Sequence, residues 1–443
     1  MRRPISRRDF IKGTAAAAVS GLLVGCSDFP PIGGGSSSGG SNSGAGNKPD
    51  SGTSTGGDDK KSPWRYTVQS YAYKTAVLTG YDASLLNMPN GVLTLPSEID
   101  HYKIVEIATD AFAKDTNIRS VIIPNTVEKI GGYAFEKCTN LSSVSLPGSL
   151  KKVPNGAFMG CTALTGIVLP NTVEEIGGFA FEKCTNLSSV SLPGSLKKML
   201  NGAFTGCTAL TGIVIPNTVE QVGNMAFSGC TSLESVQLPA SLTTIEGSLF
   251  DNCRKLKNIT IPVGAVEIGR YAFQNCTSLE SIVIPSTVKE LYAYAFCGCT
   301  SLKTVTMLEG GVKRIDGSAF AGCTALEKVQ FSSTLETIEP LAFVGNTKLN
   351  HVVIPENTNG KETIVEHCAF QGCTALVKVY IPRSMKKFEC PFSFPAADKE
   401  LYYQGSKEEW EQLGITDKMN IVGDSRCTIT LHYNADPQDA WME

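Results

Sequence analysis

Apolar and polar positions repeat along this chain with a period of about 23 residues. Each repeat carries a Phe, usually after Ala, and a Leu or Ile six residues later. Apolar residues follow at nine and eleven residues after the Phe, and mostly a Pro at twelve. The series is Phe112, Phe135, Phe158, Phe181, Phe204, Phe227, Phe250, Phe273, Phe296, Phe320, Phe343, Phe370 and Phe392. A period of this length indicates stacked repeats rather than several independent domains.

Each repeat, here called a rung, contains one short strand and one compact bend. Residues 143–146 alternate polar and apolar side chains, so Val144 and Leu146 are predicted to point inward and the two serines outward. The Pro that follows has no N–H to donate and ends the strand. The Ala-Phe-x-x-Cys segment fits one helical turn, with Phe and Cys on one side. No single rung buries its apolar residues alone, so neighbours must stack to form a core.

The consensus x-[IL]-P-x-[ST]-[VL]-x-x-I-G-x-x-A-F-x-x-C-x-x-L-x-x-V resembles the BspA-like leucine-rich repeats of bacterial surface proteins, over about residues 90–405. The resemblance implies a β-rich (α/β) repeat solenoid, a right-handed leucine-rich-repeat array with short parallel strands and about 13 rungs of about 23 residues. Residues 109–403 are expected to form the solenoid. Residues 64–108, with one degenerate rung at 93–96, form an N-terminal cap, and residues 404–443, with a strand at 428–433, a C-terminal cap.

Ten cysteines form a column three residues after the Phe. They are Cys138, Cys161, Cys184, Cys207, Cys230, Cys253, Cys276, Cys299, Cys323 and Cys373. Free buried thiols are the favoured interpretation, with stacked disulfides or bound metal as alternatives, because parallel Cβ directions suit a disulfide poorly. Cys368 and Cys390, in adjacent rungs, are the best disulfide candidate. Cys297 and Cys427 are predicted to be free, and no set has zinc-site spacing, so no metal or cofactor is predicted.

The first 25 residues carry an export signal. Residues 6–12 resemble the bacterial twin-arginine signal through Arg7, Arg8, Phe10 and Lys12, and the apolar run at 15–24 is shorter than the roughly 20 residues that span a membrane. The run ends in Leu-Val-Gly-Cys, which resembles a lipobox and implies cleavage before Cys26 and a lipid on its thiol. An ordinary cleaved signal is the alternative. Residues 26–63, rich in Gly and Ser, predict a disordered tether.

Charge and motifs narrow the classes of function. A net charge of −3 and a pI of about 6.0 exclude a basic nucleic-acid binder, and four His argue against a His-rich metal enzyme. No P-loop, nucleophile elbow or dinucleotide fingerprint is present. Residues 136–152 are identical to 182–198, which indicates duplication of two rungs. Because an active site needs fixed geometry, this favours a binding protein over an enzyme, with a hydrolase as a remote alternative.

The outward strand positions, eight and ten residues after each Phe, form the candidate working surface. Their side chains are small and uncharged in the first rungs and larger in the last ones. The possible ligand-binding face is therefore placed at Lys328, Gln330, His351, Lys378 and Tyr380, since large side chains carry most binding energy. The alternative is an ordinary solvated sheet, in which Thr and Val are favoured by the pleat.

These observations predict a membrane-anchored lipoprotein of the bacterial cell envelope that is exposed at the surface. It presents an extended binding surface to a protein or glycan ligand and is expected to be a monomer. The resemblance to BspA-like proteins implies adhesion to host matrix or to another cell. A scaffold that binds other components of the bacterial envelope is the alternative function.

Overall fold

The computed structural model describes residues 62–388, 390–392, 398–414 and 428–437. The chain divides into two compact units, Met1–Pro63 with Asp82–Asn87, and Trp64–Tyr81 with Met88–Glu443. Within the first unit, the Asp82 amide donates to the Pro63 carbonyl oxygen at 2.7 Å, and the Asp82 carboxylate accepts from the Ser84 amide at 3.0 Å. The second unit contains the repeat array.

An antiparallel hairpin, β1 (Trp64–Ser70) and β2 (Thr75–Tyr81), precedes a short 3-10 turn at Pro89–Gly91. The alternating segments of the rungs then stack as short parallel strands, here called the first ladder. Its strands are β3 (Val92–Thr94), β6 (Ser120–Ile122), β8 (Ser143–Ser145), β10 (Gly166–Val168), β12 (Ser189–Ser191), β14 (Gly212–Val214), β16 (Ser235–Gln237), β19 (Ser281–Ile284), β21 (Thr304–Met307), β23 (Lys328–Gln330), β25 (His351–Val353), β27 (Lys378–Ile381), β29 (Lys399–Tyr403) and β30 (Ile429–Tyr433).

A second ladder of shorter strands follows the turn after each Pro. Its strands are β5 (Tyr102–Ile107), β7 (Lys129–Ile130), β9 (Lys152–Val153), β11 (Glu175–Ile176), β13 (Lys198–Met199), β15 (Gln221–Val222), β17 (Thr244–Ile245), β18 (Glu267–Ile268), β20 (Glu290–Leu291), β22 (Arg314–Ile315), β24 (Thr337–Ile338), β26 (Thr363–Val365) and β28 (Met385–Phe388). At its N-terminal end β5 also pairs with β2 and, antiparallel, with β4 (Glu98–Ile99). The result is the predicted β-solenoid of about 13 turns with little helix.

The two ladders are hydrogen-bonded differently. The second ladder runs without a break from β9 to β15 and again from β17 to β28. The first ladder is divided into the groups β3-β6-β8, β10-β12, β14-β16, β19-β21-β23 and β25-β27-β29-β30. Between β8 and β16 it is therefore bonded in pairs of rungs.

The Ala-Phe-x-x-Cys segments form the third side of each rung. The Cys138 amide donates to the Phe135 carbonyl oxygen at 3.2 Å, and Tyr133 and Lys137 on either side have φ of 56° and 54°. The predicted helical turn is thus wrong in detail: residues in the left-handed region interrupt any helix, and the segment is a series of tight turns. The Phe135 amide donates to the Ala157 carbonyl oxygen of the next rung at 2.9 Å, which bonds neighbouring rungs on this side.

The core consists of columns of identical side chains. The phenylalanine rings stack along the array, with centroids 5.1 to 5.8 Å apart from Phe112 through Phe370. Gly131 has to be glycine, because a Cβ there would lie 2.3 Å from the backbone nitrogen of Thr109 in the rung before. Repetition of such contacts keeps successive rungs in register.

Both ends of the array carry the predicted strands. The degenerate rung is β3, which pairs in parallel with β6, and the C-terminal strand is β30, which pairs in parallel with β29. Between these last two strands lies α1 (Lys407–Gln412), capped by Ser406 and Glu409 in a capping box. Its Trp410 is buried and contacts Tyr403 edge-on at 5.1 Å between ring centroids.

Candidate functional site

The outward side chains at positions eight and ten after each Phe lie along the first ladder, and we call this surface the strand face; the Phe250 rung contributes no strand to it. Because side chains alternate along a strand, Ser143 and Ser145 are exposed while Val144 between them is half-buried. In the next rung Ile167 is buried and Val168 exposed. The predicted inward and outward positions are confirmed by this burial pattern.

The strand face is uncharged over its first nine rungs. From Phe112 to Phe296 neither outward position holds Lys, Arg, Asp or Glu, although these make up 18% of the chain. The Ser143 hydroxyl donates to the Ser120 hydroxyl at 2.8 Å, so neighbouring rungs satisfy part of each other's polarity. Isolated apolar side chains project from it: Ile122 is 43% exposed, Val168 72%, Val214 62% and Val283 53%.

Near its C-terminal end the strand face has a basic segment, which ends at Glu400 of the next rung, opposite Lys378. Lys328, His351 and Lys378 occupy position eight of three successive rungs, and β25 and β27 pair so that His351 lies opposite Lys378. Lys328 and Gln330 are exposed, whereas His351 and Lys378 are half-buried. His351 Nδ1 lies 2.6 Å from Asn350 Oδ1. Burial, and after it the charge of Lys328, lowers the pKa of His351, so the ring is neutral at neutral pH.

Tyr380 does not belong to the exposed set predicted from the sequence. Its ring is 1% exposed and packs with Val353, Tyr402 and Ala435. The Tyr402 ring in turn stacks on His432 at 4.4 Å between centroids. Strand β30 and the residues after it return to the end of the array and bury Tyr380. It therefore stabilises the end of the solenoid.

The cysteine column has a structural role that the sequence pattern did not show. Each of its ten thiols donates a hydrogen bond to the Phe carbonyl oxygen of the preceding rung, at 3.1 to 3.2 Å. Burial raises the pKa of Cys184 and Cys230 to about 12. The ten are free thiols, as predicted, and their high pKa values make them poor nucleophiles and metal ligands.

The remaining cysteines depart from expectation in part. Cys297 is disulfide-bonded, so the prediction of a free thiol there is wrong. Cys368 and Cys390 occupy the same position of adjacent rungs, and the Cys368 amide donates to the Cys390 carbonyl oxygen at 3.0 Å. Both are thiols here, and the candidate disulfide between them is not formed. Cys427 lies outside the described residues.

An aromatic column two residues before the Phe was overlooked at the level of sequence. Tyr271 and Tyr294 stack at 5.1 Å between centroids, and the Arg270 guanidinium lies 5.3 Å from the first ring. In earlier rungs the Tyr133 ring occupies the space where a Cβ at Gly156 would lie. A signal was present over four rungs, where the column reads Tyr133, Gly156, Phe179 and Gly202. These rings pack neighbouring turns together.

In the part of the chain that the structure describes, no three His, Cys, Asp or Glu side chains are grouped to hold a metal ion. No helix among the same residues has both the length and the apolar character to cross a membrane. The export-signal residues Arg7, Arg8, Phe10 and Lys12 and the lipobox Cys26 lie outside the described residues.

Comparison with known proteins agrees with this architecture. The model of the BspA type leucine-rich repeat region matches residues 105–230, 199–316 and 266–392, with six copies in all. A twin-arginine translocation signal matches residues 4–24. No curated protein matches the chain.

Several solved bacterial structures are similar. A leucine-rich repeat protein from Bacteroides ovatus is 25% identical, covering 84% of this chain and 99% of its own, with a TM-score of 0.63. A leucine-rich cell surface protein from Faecalibacterium prausnitzii is 26% identical, covering 84% and 100%, with a TM-score of 0.45. The pneumococcal vaccine antigen PcpA is 19% identical, covering 84% and 98%, with a TM-score of 0.49.

Stacked parallel strands around columns of Phe and Leu define a leucine-rich repeat protein. The matched repeats extend over residues 105–392, more than half of the 443 residues. The chain belongs to the BspA type leucine-rich repeat family of bacterial surface proteins, and its twin-arginine signal directs it to export.

Proposed function

We propose that this protein is a lipid-anchored binding protein of the bacterial surface whose strand face attaches the cell to host matrix or to another cell. The observation that carries the proposal is the strand face, uncharged over nine rungs, with its projecting valines. Val168 and Val214 are more than half exposed, and they project from a face that carries no charge in its outward positions from Phe112 to Phe296. An extended face of this kind binds broad partners without a pocket, and no catalytic role is assigned to it.

The basic segment of the strand face adds a second element to the binding surface. Lys328, Gln330, His351 and Lys378 are close together there, and the lysines add positive charge that the earlier rungs lack, partly offset by Glu400 opposite Lys378. Charged groups at the rim of an interface mainly accelerate encounter and set orientation. A partner with a negatively charged end would therefore be oriented along the array.

The anchor rests on the lipobox. A lipid on Cys26 followed by the Gly- and Ser-rich residues up to 63 would hold the array away from the membrane. The variant Cys26→Ala should lose acyl labelling and membrane retention, while continued acylation would refute the anchor. Protease treatment of intact cells should cleave the array; its survival, while other surface proteins are cut, would remove surface exposure.

The binding role is tested by adhesion of cells that display the full-length protein. Val168→Glu combined with Val214→Glu places charges on the strand face without touching the core, and should reduce adhesion to matrix-coated wells and to host cells. The matched control is Val263→Glu with Val266→Glu, which are 76% and 49% exposed and lie outside the strand face. Equal adhesion of both variants and the native protein would overturn the proposal.

A further inference from the structure

Residues 136–237 repeat with a period of two rungs rather than one. The segment 136–152 is identical to 182–198, and 160–168 is identical to 206–214, both at an offset of 46 residues. The hydrogen bonds follow the same period, because β10 pairs with β12 and β14 with β16, while β8 and β10, and β12 and β14, belong to separate groups. The repeating unit of this segment is therefore a pair of rungs, similar to the next pair in both sequence and hydrogen bonding.

The height of the side chains on the strand face varies with the same two-rung period. Rungs with outward Ser at both positions alternate with rungs that carry Gly and Val. A Cβ at Gly166 would lie 2.8 Å from Ser189 Oγ, and one at Gly212 would lie 3.1 Å from Ser235 Oγ, so each serine leans over the preceding glycine. Val168 and Val214 then stand out beside these low points. Ile122 begins the series two rungs earlier.

The spacing of the projecting apolar side chains determines which repeat length a bound polymer must have. Rungs of a parallel sheet are about 4.8 Å apart, so the apolar side chains recur about every 10 Å along the array. An extended peptide repeats after two residues, about 7 Å, and falls out of step with that spacing. A linear glycan of the cellulose or chitin type matches it, since its alternate sugar units face the same way and its repeating disaccharide is close to this length.

The chemistry of the strand face agrees with the same ligand. Pyranose rings offer apolar C–H faces and hydroxyl groups, which suit isolated valines separated by serine hydroxyls. The absence of charge in both outward positions from Phe112 to Phe296 fits a neutral polymer. A second copy of the chain would need a continuous apolar patch to bury, whereas here single valines are separated by polar rungs.

We infer that the strand face between Ile122 and Val214 binds a neutral linear glycan of the cellulose or chitin type, which lies along the array with one sugar unit per rung. This inference rests on the proposed function. Ile122 and Val214 are four rungs apart, about 20 Å at the rung spacing. About four sugar units therefore span the three apolar side chains, and longer chains gain little from this segment.

The test is calorimetry of the full-length, detergent-solubilised protein with cellobiose, cellotetraose, cellohexaose and the equivalent chitin oligosaccharides. Affinity should rise by about tenfold or more from the disaccharide to the tetrasaccharide and then level off. The Val168→Glu, Val214→Glu variant should lose this binding, and the Val263→Glu, Val266→Glu control should keep it. Val168→Thr with Val214→Thr, a conservative change in shape, should weaken binding by a smaller factor. Circular dichroism confirms that each variant folds.

Three results would overturn the inference: no binding to either series, affinity that does not depend on chain length, or equal binding by native protein and the strand-face variant. A dimer of the native protein that the strand-face variant dissociates would assign the face to a second copy. If the glycans fail while the strand-face variant still reduces adhesion of cells, the inference falls and the proposed function stands. If adhesion is also unchanged, both fall.

Discussion

The thiol of Cys184 donates a hydrogen bond to the carbonyl oxygen of Phe158, 3.1 Å away in the preceding rung. The same carbonyl oxygen accepts the amide of Cys161 at 3.1 Å. From Phe112 to Phe296 each Phe carbonyl thus has one bond within its rung and one to the next. Cysteine fits this place because it is small and apolar yet carries a donor.

Cys184→Ala should destabilise the protein by about 1–2 kcal/mol, through a lost hydrogen bond and a small void. Cys184→Ser should not restore the loss, because the shorter C–O bond holds the hydroxyl too far from the carbonyl. Thermal unfolding followed by circular dichroism measures both. Full stability of the Ser variant would show that donor strength, rather than reach, decides the residue here.

The thiols of the column should be chemically inert in the folded protein. Burial raises the pKa of Cys138, Cys184, Cys230, Cys323 and Cys373 to about 12, so almost no thiolate exists at pH 8 and no path leads reagent to it. Alkylation by iodoacetamide, mapped by mass spectrometry, should spare the ten positions in the native state and modify them in denaturant. Rapid native modification would indicate that the array opens locally.

Asn346 stands where a cysteine would continue the column, and replacing it should stabilise the array. It is fully buried, and neither polar atom of its side chain has a hydrogen-bond partner among the described residues. Asn346→Cys removes two unsatisfied groups and supplies a donor for the Phe320 carbonyl oxygen, a gain of about 1–3 kcal/mol. Asn346→Ala, which removes the amide but leaves a void, should fall between the two. A less stable Cys variant would contradict this account.

Two glycines in one repeat should differ in how far their replacement by alanine changes the stability. A Cβ at Gly177 would lie 2.5 Å from the Asn155 nitrogen of the rung before, whereas at Gly194 nothing lies within 4 Å. Gly177→Ala should force neighbouring rungs apart and lower the stability by about 3 kcal/mol or more, and Gly194→Ala should change it by less than about 1 kcal/mol. Urea unfolding of the two variants compares them directly; equal stabilities would refute the close approach.

His351 should give the fold a pH dependence below its ordinary pKa of 6.5. Burial and Lys328 lower the pKa in the folded state, so the unfolded chain takes up the proton first as the pH falls. The contribution of His351 to the stability is fully present above pH 6.5 and is lost as the pH falls from 6.5 to the lowered pKa. His351→Gln should remove this loss, and Lys328→Gln should raise the midpoint of the His351 NMR titration. A native midpoint at or above 6.5 would contradict the prediction.

The rung period predicted the columns because the same contacts recur at each step, so Phe135 and Cys138 needed no knowledge of distant residues. Tyr380 was misjudged for the opposite reason. Its burial depends on Tyr402 and Ala435, which reach it only after the chain has returned to the end of the array. The pairing of the first ladder was equally hidden, since local periodicity does not say which neighbouring backbones bond. The left-handed conformation of Tyr133 could not be read from an aromatic residue either.

The first ladder lacks backbone pairing between β8 and β10 and between β12 and β14, and this has a genetic consequence. A tandem duplication or deletion of the codons for two rungs adds or removes one bonded pair of strands. In either case the new junction between rungs is of a kind that the array already contains. Strains could therefore vary the length of this segment by recombination without having to evolve a new contact between rungs.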